Sequence, residues 1–337
     1  MTNIGVVGCG SWGMNYVRVF SEIGGSRLCM ACDPDEIRLR GVRERYHLLA
    51  TTTDWQEAIG DRWVNAVVIA TPASTHFELA RYALVLGKHV LIEKPLASTV
   101  DRARELVELA EQSGLVLMVG HTFLYNDGVR KLKDLVSAPD FGRAYYLHAT
   151  RTNLGPIRSD VSTIWDLATH DVAIFNYLLG AVPAWVSAVG SRVFSHERED
   201  VVFATLAYAD GVIANAHASW LDPNKVRELV VVGSRQRIVF DDLNNVERVR
   251  IFEKGVAAEE KEADTFGHFR LLVRDGDIIS PWVAPSEPLR NLATHFLDCI
   301  RAGKPPLTDG RNGLDVVRVL SAIDRSVAGN GAPVEVE

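Results

Sequence analysis

Long apolar stretches are missing from this chain of 337 residues. A membrane-spanning helix needs about 20 consecutive apolar residues, and no run in the sequence approaches that length. The chain passes from Met1 into a strand-like run almost at once, which leaves no room for a secretory signal peptide. We therefore expect a cytoplasmic protein with no membrane partner.

Cysteine is also scarce, with four residues in the whole chain. Cys29 and Cys32 have the spacing of half a zinc site, but no second pair follows, and both lie in the strand-like run Arg27–Cys32. A packed strand explains them better than a pair of metal ligands. We expect neither a metal site nor a disulfide.

An excess of positive charge is the third missing feature. Lys and Arg number 36 against 43 Asp and Glu, so the net charge is −7. A nucleic-acid-binding surface or one for anionic membranes is thereby disfavoured. The hydrophobic fraction of 47% and the length suit a globular protein of two domains.

The clearest motif stands at the start of the chain. The apolar strand Ile4–Val7 runs directly into glycines spaced GxGxxG, a helix follows to about Ile23, and a second strand, Ser26–Cys32, ends at Asp33. Such glycines let a pyrophosphate approach the backbone at a helix N-terminus, and the acid about twenty residues on accepts hydrogen bonds from the adenosine ribose. We therefore predict a dinucleotide site formed by Gly8, Gly10, Ser11, Trp12, Gly13 and Asp33.

The choice of cofactor depends on Asp33. A carboxylate there favours NAD because it repels the 2′-phosphate of NADP. Arg38 and Arg40 follow within reach of that phosphate if the loop folds back, although an exposed basic helix face explains them as well. We expect NAD, with NADP the less favoured cofactor.

Strands and helices go on alternating as far as residue 122. Ala66–Ala70, His89–Ile92 and Leu115–Val119 are typical of buried strands. This alternation predicts a doubly wound parallel sheet over residues 1–122, a Rossmann domain that binds NAD(P). Thr71-Pro72 ends one strand beneath the expected cofactor, and His76 could contact the nicotinamide ribose.

Glu93-Lys94-Pro95 follows the strand His89–Ile92. Pro95 cannot donate to a sheet, so the strand should stop there and leave Lys94 at its carboxyl end, where parallel sheets bind their ligands. An ammonium near a reacting hydroxyl can stabilise an alkoxide. A surface Glu-Lys pair before a turn is the alternative.

Strands dominate the second half of the chain, residues 123–337, and turn signals such as Asp210-Gly211 separate them. We predict an α+β domain with a large, mostly antiparallel sheet, which binds substrate and forms oligomers. Two helices, Pro288–Ala302 and Gly313–Ala328, should close it. One face of the sheet needs covering by helices or by another subunit.

Asp166 and His170 stand four residues apart in a predicted helix that Gly180 ends. This spacing lets a carboxylate and an imidazole face one pocket, where the histidine can take a proton from a hydroxyl as hydride leaves its carbon. A surface Asp–His pair would explain the spacing alone. Together with the dinucleotide loop and Lys94, the catalytic interpretation is favoured.

These segments resemble the Gfo/Idh/MocA family of nicotinamide-dependent oxidoreductases, which act on sugars, nucleotide sugars and cyclitols. The resemblance extends over nearly the whole chain and rests on GVVGCGSWG, Ala70-Thr71-Pro72 with His76, Glu93-Lys94-Pro95, and Asp166 to His170. It implies that Lys94, Asp166 and His170 are catalytic, that Thr71, Pro72, His76, Glu93 and Lys94 join the cofactor site, and that the C-terminal sheet forms a homodimer or homotetramer. One departure is that Thr163-Ile164-Trp165 stands where family members often carry glycines.

The run RTNLGPIRSDVSTIWDLATHD is similar to the segment of members that oxidise the 3-hydroxyl of UDP-N-acetylglucosamine or its uronic acid. Arg151 and Arg158 could meet a diphosphate or carboxylate, and Asn153 and Asp160 could bind sugar hydroxyls or the acetamido group. A solvated connecting loop is the alternative for each. The resulting set of predicted substrate ligands is Lys94, Arg151, Asn153, Arg158, Asp160, Asp166 and His170.

The sequence thus predicts an NAD-dependent oxidoreductase acting on a secondary hydroxyl, C3 of a nucleotide-linked sugar such as UDP-N-acetylglucosamine. A dehydrogenase of a free sugar or inositol is the first alternative. A regulatory protein that senses NAD without doing chemistry is the second, and the joint presence of Lys94, Asp166 and His170 argues against it.

Overall fold

The chain folds into two compact units, seen in a computed structural model that describes residues 1–47, 49–158, 161–194, 197–258, 271–274 and 276–337. The first unit comprises Met1–Tyr125 and Ser286–Ser321, and the second comprises Asn126–Pro285 and Ala322–Glu337. The fold is α/β in the first unit and α+β in the second, as the sequence predicts. No helix in these described ranges is both long and apolar enough to cross a membrane.

The first unit is built on a six-stranded parallel sheet with the order β3-β2-β1-β4-β5-β6. This is the strand order of a dinucleotide-binding Rossmann sheet, in which the chain reverses direction across the sheet between β1 and β4. Ligands of such sheets bind at that reversal, beyond the carboxyl ends of the strands. The strands are β1 (Thr2–Val7), β2 (Ser26–Cys32), β3 (Ala50–Thr52), β4 (Ala66–Ile69), β5 (His89–Ile92) and β6 (Leu117–Val119).

Five helices connect these strands, and side chains cap three of them. Asp35, Asp54 and Thr99 each accept a hydrogen bond from a first-turn amide, which satisfies a donor that the helix itself leaves without a partner. A short 3-10 turn over Ala73–Thr75 precedes the fourth helix. The helices are α1 (Ser11–Glu22), α2 (Glu36–Arg45), α3 (Trp55–Gly60), α4 (His76–Val85) and α5 (Val100–Gln112).

The division of the chain differs from the single boundary predicted after residue 122. Helix α8 (Pro288–Ala302) and the first part of helix α9 (Gly310–Ala328) belong to the first unit, although the sequence pattern assigns them to the second domain. The reason is hydrogen bonding between distant residues. Val119 at the end of β6 donates its amide to the Thr308 carbonyl at 2.7 Å, and the Thr308 hydroxyl donates to the Val119 carbonyl at 2.7 Å. No local pattern marks that pairing.

The second unit contains a nine-stranded sheet in the order β16-β13-β12-β11-β7-β10-β9-β8-β17. Every neighbouring pair is antiparallel except β7 and β10, which run parallel. Strands β14 (Gly255–Ala258) and β15 (Leu271–Arg274) pair separately. The sheet strands are β7 (Ala144–Leu154), β8 (Trp185–Ser191), β9 (Val201–Ala207), β10 (Ile213–Ser219), β11 (Leu221–Gly233), β12 (Arg237–Asp241), β13 (Val249–Phe252), β16 (Ile278–Ile279) and β17 (Val334–Glu335).

Helices α6 (Asp127–Ser137) and α7 (Thr169–Leu179) pack on one face of this sheet. The other face, which we call the open face, carries large apolar side chains that are 38–52% exposed. The register pairs Val189 on β8 with Phe203 on β9 and Ile213 on β10 with Tyr146 on β7, and it places Trp185 across Ala207 from Ile213. The open-face residues are Trp185, Val189, Phe203, Ile213 and Tyr146.

Candidate active site

The glycine-rich loop between β1 and α1 can accept only glycine at two positions. Gly8 has a φ of +93°, and a Cβ on it would lie 2.5 Å from the Ala70 carbonyl oxygen. A Cβ on Gly13 would lie 1.8 Å from the carbonyl oxygen of Gly8. No side chain caps α1, and its first turn carries no acid. The loop therefore offers helix-terminal amides to an anion, which is the donor set that a dinucleotide pyrophosphate requires.

Asp33, the predicted ribose acceptor, is 2% exposed at the end of β2. Its Oδ2 accepts from the Cys9 amide at 2.8 Å, and its Oδ1 accepts from the Asp35 amide at 2.9 Å. The Arg38 guanidinium lies 3.3 Å from the same carboxylate and is about half exposed. The carboxylate thus holds the glycine loop in place. Its contact with the ribose stays a prediction.

The loop after β4 lies against the glycine loop. A Cβ on Gly8 would come within 3.0 Å of the Thr71 methyl carbon, and the Thr71 hydroxyl shares a hydrogen bond with Thr75 at 2.7 Å. His76, predicted to touch the nicotinamide ribose, is 1% exposed. Its Nδ1 lies 2.7 Å from the Pro95 carbonyl oxygen and its Nε2 lies 3.0 Å from that of Thr71. The ring is therefore bonded to the protein backbone on both sides.

Lys94 follows β5, as predicted, and Glu93 ties this strand end to α1. The Glu93 Oε1 accepts hydrogen bonds from Trp12 Nε1 and, at 2.7 Å, from the Tyr16 hydroxyl. Its Oε2 accepts from the Lys94 amide at 3.2 Å. Burial raises the pKa of the Glu93 carboxyl, and the hydrogen bond from Tyr16 and the Lys94 charge oppose that rise. The backbone that carries Lys94 is thus fixed to the helix of the dinucleotide loop.

His121 follows β6, the strand next to β5, and it is 1% exposed. Neither of its ring nitrogens has a hydrogen-bond partner among the residues that the structure describes. Burial, and secondly the nearby Lys94 ammonium, lower the pKa of His121 to about 3. This imidazole is therefore neutral at physiological pH.

In the second unit, Asp166 lies in a π-helical turn, Ile164–Ala168, that leads directly into α7. π-Helical turns inside helices occur frequently at functional sites. The Asp166 Oδ1 accepts from Arg158 at 3.2 Å, and its Oδ2 accepts from Trp220 Nε1 at 3.3 Å. His170 is half-buried in the first turn of α7. The spacing predicts one regular α-helical turn between Asp166 and His170. In the structure Asp166 lies instead in the wider π-helical turn that precedes α7.

Two residues of the run Thr163-Ile164-Trp165 anchor the π-helical turn. The Thr163 hydroxyl donates to the Glu199 carbonyl at 2.5 Å. Trp165 Nε1 donates to Asp324 on α9 at 2.6 Å. Burial raises the pKa of Asp324 to about 6.

The predicted substrate ligands have different surroundings. Arg151 is buried and forms three hydrogen bonds with Asp171, at 3.1, 3.1 and 2.7 Å. Asn153 donates to the Gly155 carbonyl at 2.6 Å, and Arg158 pairs with Asp166. Asp160 lies outside the described residues. The ion pair gives Arg151 a structural partner, and the role of all these residues in binding substrate stays a prediction.

Comparison with known proteins identifies the family. A model described as an oxidoreductase family with an NAD-binding Rossmann fold matches residues 2–121, and the model of the GFO/IDH/MocA C-terminal domain matches residues 129–239. The chain belongs to the Gfo/Idh/MocA family. The glycine loop and the Rossmann strand order agree with this membership, and NAD is the cofactor that the family model specifies. The predicted family, fold class and cofactor are therefore confirmed.

Three members of the Gfo/Idh/MocA family illustrate the range of relatives. UDP-N-acetylglucosamine 3-dehydrogenase of Acidithiobacillus ferrooxidans is 31% identical over 77% of this chain and 76% of the relative. Its solved structure superposes with a TM-score of 0.81 at 27% identity, covering 97% of this chain and 98% of that one. D-apiose dehydrogenase of Paraburkholderia graminis is 26% identical over 98% of this chain and 89% of its own. Myo-inositol 2-dehydrogenase of Thermotoga maritima is 26% identical over 92% and 91%.

Reasoning from the sequence missed three residues of interest, which are Tyr16, His121 and Asp171. Tyr16 stands four residues after the predicted Trp12 on α1, and that spacing could have indicated their shared contact with Glu93. His121 directly follows the strand end at Gly120, a position that parallel sheets use for function. Asp171 carried no signal, because its partner Arg151 is twenty residues away on a strand.

Proposed function

We propose that the protein is an NAD-dependent dehydrogenase that oxidises a secondary hydroxyl of a nucleotide-linked sugar, at C3 of UDP-N-acetylglucosamine or a close analogue. The observation that carries the proposal is the 31% identity to UDP-N-acetylglucosamine 3-dehydrogenase over three quarters of both chains. The joint presence of Lys94, Asp166 and His170 supports chemistry rather than binding alone.

Oxidation of an alcohol removes a hydride from carbon and a proton from oxygen. In the proposed reaction His170 takes the hydroxyl proton, and Lys94 stabilises the negative charge that develops on the oxygen. Asp166 orients the imidazole, and its own carboxylate is held by Arg158 and Trp220. When bound, NAD supplies the hydride acceptor, while the protein supplies orientation and charge.

Arg158 suits the nucleotide part of the proposed substrate. Its side chain is 38% exposed while it also bonds Asp166, so the guanidinium is accessible to a diphosphate or carboxylate. Arg151, in contrast, already bonds Asp171 through two of its nitrogens. We therefore assign anion recognition to Arg158 in preference to Arg151.

The test is NADH formation by the purified protein with UDP-N-acetylglucosamine, its uronic acid, myo-inositol, D-apiose and glucose. We expect turnover with a UDP-sugar. Replacing Lys94 or His170 by alanine should lower kcat about 100- to 10,000-fold, the usual range for loss of a group that transfers a proton or stabilises a developing charge. The control variant is Lys304→Ala, which removes an exposed lysine elsewhere in the first unit. Near-normal turnover in both Lys94→Ala and His170→Ala would contradict the assigned roles.

A dehydrogenase of a free sugar or inositol is the second candidate, because D-apiose and myo-inositol dehydrogenases match more than nine tenths of this chain. Faster turnover of myo-inositol or D-apiose than of any UDP-sugar would select it. Tight NAD binding without NADH formation on any sugar would instead favour the NAD-sensing regulatory protein.

We also propose that a second copy of the chain covers the open face of the nine-stranded sheet, giving a homodimer or homotetramer. Exposed apolar patches of this kind are typical of interaction surfaces. The register places Trp185 and Ile213 on either side of Ala207, with Phe203 beside Val189 on the same face. Phe203→Glu should reduce the mass measured by light scattering to that of a monomer. Val246→Glu, at an 89% exposed position in a loop, is the matched control. A monomeric wild-type protein would contradict the proposal.

A further inference from the structure

His76 connects two loops that leave neighbouring strands at the carboxyl edge of the Rossmann sheet. Thr71 follows β4 and Pro95 follows β5, and the two strands pair directly. The His76 ring lies between their carbonyl oxygens, with Nδ1 2.7 Å from Pro95 and Nε2 3.0 Å from Thr71. At 1% exposure, bulk water does not compete for either nitrogen.

The two partners determine how many protons the ring carries. A carbonyl oxygen accepts hydrogen bonds and never donates them, whereas a neutral imidazole has a single N–H. In a neutral His76, one nitrogen lone pair would face a carbonyl lone pair in a buried site, which is unfavourable. Two satisfied bonds require two N–H groups, and only the imidazolium form has both.

His89, at the opposite end of β5, provides the contrast. Its Nδ1 accepts a hydrogen bond from the Val116 amide at 3.0 Å, so that nitrogen carries no proton. Burial also lowers the pKa of His89. His89, at the start of β5, thus has a ring nitrogen that accepts a hydrogen bond, whereas both ring nitrogens of His76 face carbonyl oxygens.

The Pro95 carbonyl belongs to the residue that follows Lys94, so the ring acts on the backbone that carries the lysine. On the preceding side, Glu93 accepts from the Lys94 amide and is itself held by Tyr16. We propose that His76 is a positioning residue, an imidazolium that joins the Thr71 and Pro95 carbonyls and so holds Lys94 in register with the dinucleotide loop. The effect on catalysis rests on the role proposed above for Lys94, whereas the protonation state does not.

The first test measures protonation directly. In protein labelled with ¹⁵N-histidine, nitrogens with and without a proton differ widely in chemical shift, and His76→Gln and His89→Gln assign the two signals. We expect both His76 nitrogens to be protonated at neutral pH and His89 to show one bare nitrogen. A single neutral tautomer at His76 would overturn the proposal. This measurement needs no substrate, so it remains decisive even if none of the tested sugars is oxidised.

The second test measures positioning, with any sugar that the wild-type protein oxidises. His76→Phe keeps a ring but removes both donors, and His76→Gln keeps one donor. A displacement of about 1 Å in a reacting group costs about 100-fold in rate, so we expect about that loss of kcat in His76→Phe and a smaller loss in His76→Gln. The KM for NAD should change far less. The isotope effect from deuterium at the reacting carbon should rise as hydride transfer becomes rate-limiting.

The matched control is His89→Phe, which removes one side chain–backbone bond at the other end of β5. It should leave kcat and the isotope effect near their wild-type values, even if it lowers the melting temperature. Equal loss of kcat in His76→Phe and His89→Phe, with no change in the isotope effect, would reduce His76 to a purely structural residue and refute the positioning role.

Discussion

The buried ion pair between Arg151 and Asp171 should make a large difference to the stability of the second unit. The two side chains are 6% and 2% exposed, and three hydrogen bonds join them. Removing Asp171 takes these three hydrogen bonds from a buried guanidinium, and breaking a buried ion pair in this way costs about 3–5 kcal/mol of the free energy of unfolding. Asp171→Ala should therefore lose about that amount.

The double variant Arg151→Met/Asp171→Leu separates charge burial from packing. Replacing both partners by apolar side chains of similar size is often neutral, so we expect it to recover most of the loss. Free energies of unfolding from urea titrations at neutral pH provide the measurement. Glu228→Gln, which breaks the half-exposed pair with Arg250, should change the same quantity by only about 1 kcal/mol or less.

The double variant also tests the prediction that Arg151 contacts substrate. If Arg151 has only its structural role, the stable double variant keeps the wild-type KM for sugar. Two results would refute the reasoning: an Asp171→Ala loss no larger than that of Glu228→Gln, or a double variant less stable than Asp171→Ala.

Three further predictions concern the glycine loop and two buried titratable groups. Gly13→Ala should abolish NAD binding measured by calorimetry, because its methyl carbon would overlap the loop backbone. Gly41→Ala on α2 should leave NAD binding unchanged, because a methyl group there has open space around it. Asp324, with its pKa raised to about 6, holds a proton between about pH 4 and 6 that the unfolded chain releases, so stability falls as pH rises through that window. Asp324→Asn should therefore raise the free energy of unfolding at pH 8 by about 2–3 kcal/mol relative to wild type. An unchanged free energy of unfolding would contradict this. His121, with its pKa lowered to about 3, stays neutral in the native state below pH 6.5 while the unfolded chain takes up a proton, so stability falls as pH drops from there. His121→Phe should reduce that acid slope by up to about 1.4 kcal/mol per pH unit in urea titrations, and identical slopes would count against a neutral buried ring.

Local signals in the sequence were sufficient for the dinucleotide loop and for the parallel sheet. A glycine that needs φ of +93°, or that has no room for a Cβ, is a constraint of the immediate backbone, so its spacing is visible in the chain. The alternation of short apolar strands with amphipathic helices is equally local, and it predicted all the inner strands of the first unit. Lys94 at the end of β5 followed from Pro95 alone.

The tertiary structure alone decided what each polar side chain bonds. Arg151 and Arg158 are alike in the sequence, yet one is buried against Asp171 and the other is half exposed beside Asp166. The sequence places His76 at a helix start, where a histidine is usually exposed. In the fold its ring is buried and bonds the carbonyl of Pro95, nineteen residues later. Thr308 likewise brings α8 into the first unit.

The physical reason is the range of the interactions involved. Steric limits on the backbone and hydrophobic periodicity act between near neighbours, so the sequence by itself determined the family's Rossmann loop, the sheet and the position of Lys94. The energy of a buried charge or imidazole depends on partners brought together only by folding. The sequence therefore determined which groups the protein has, and the tertiary structure decided which of them are already paired within the protein.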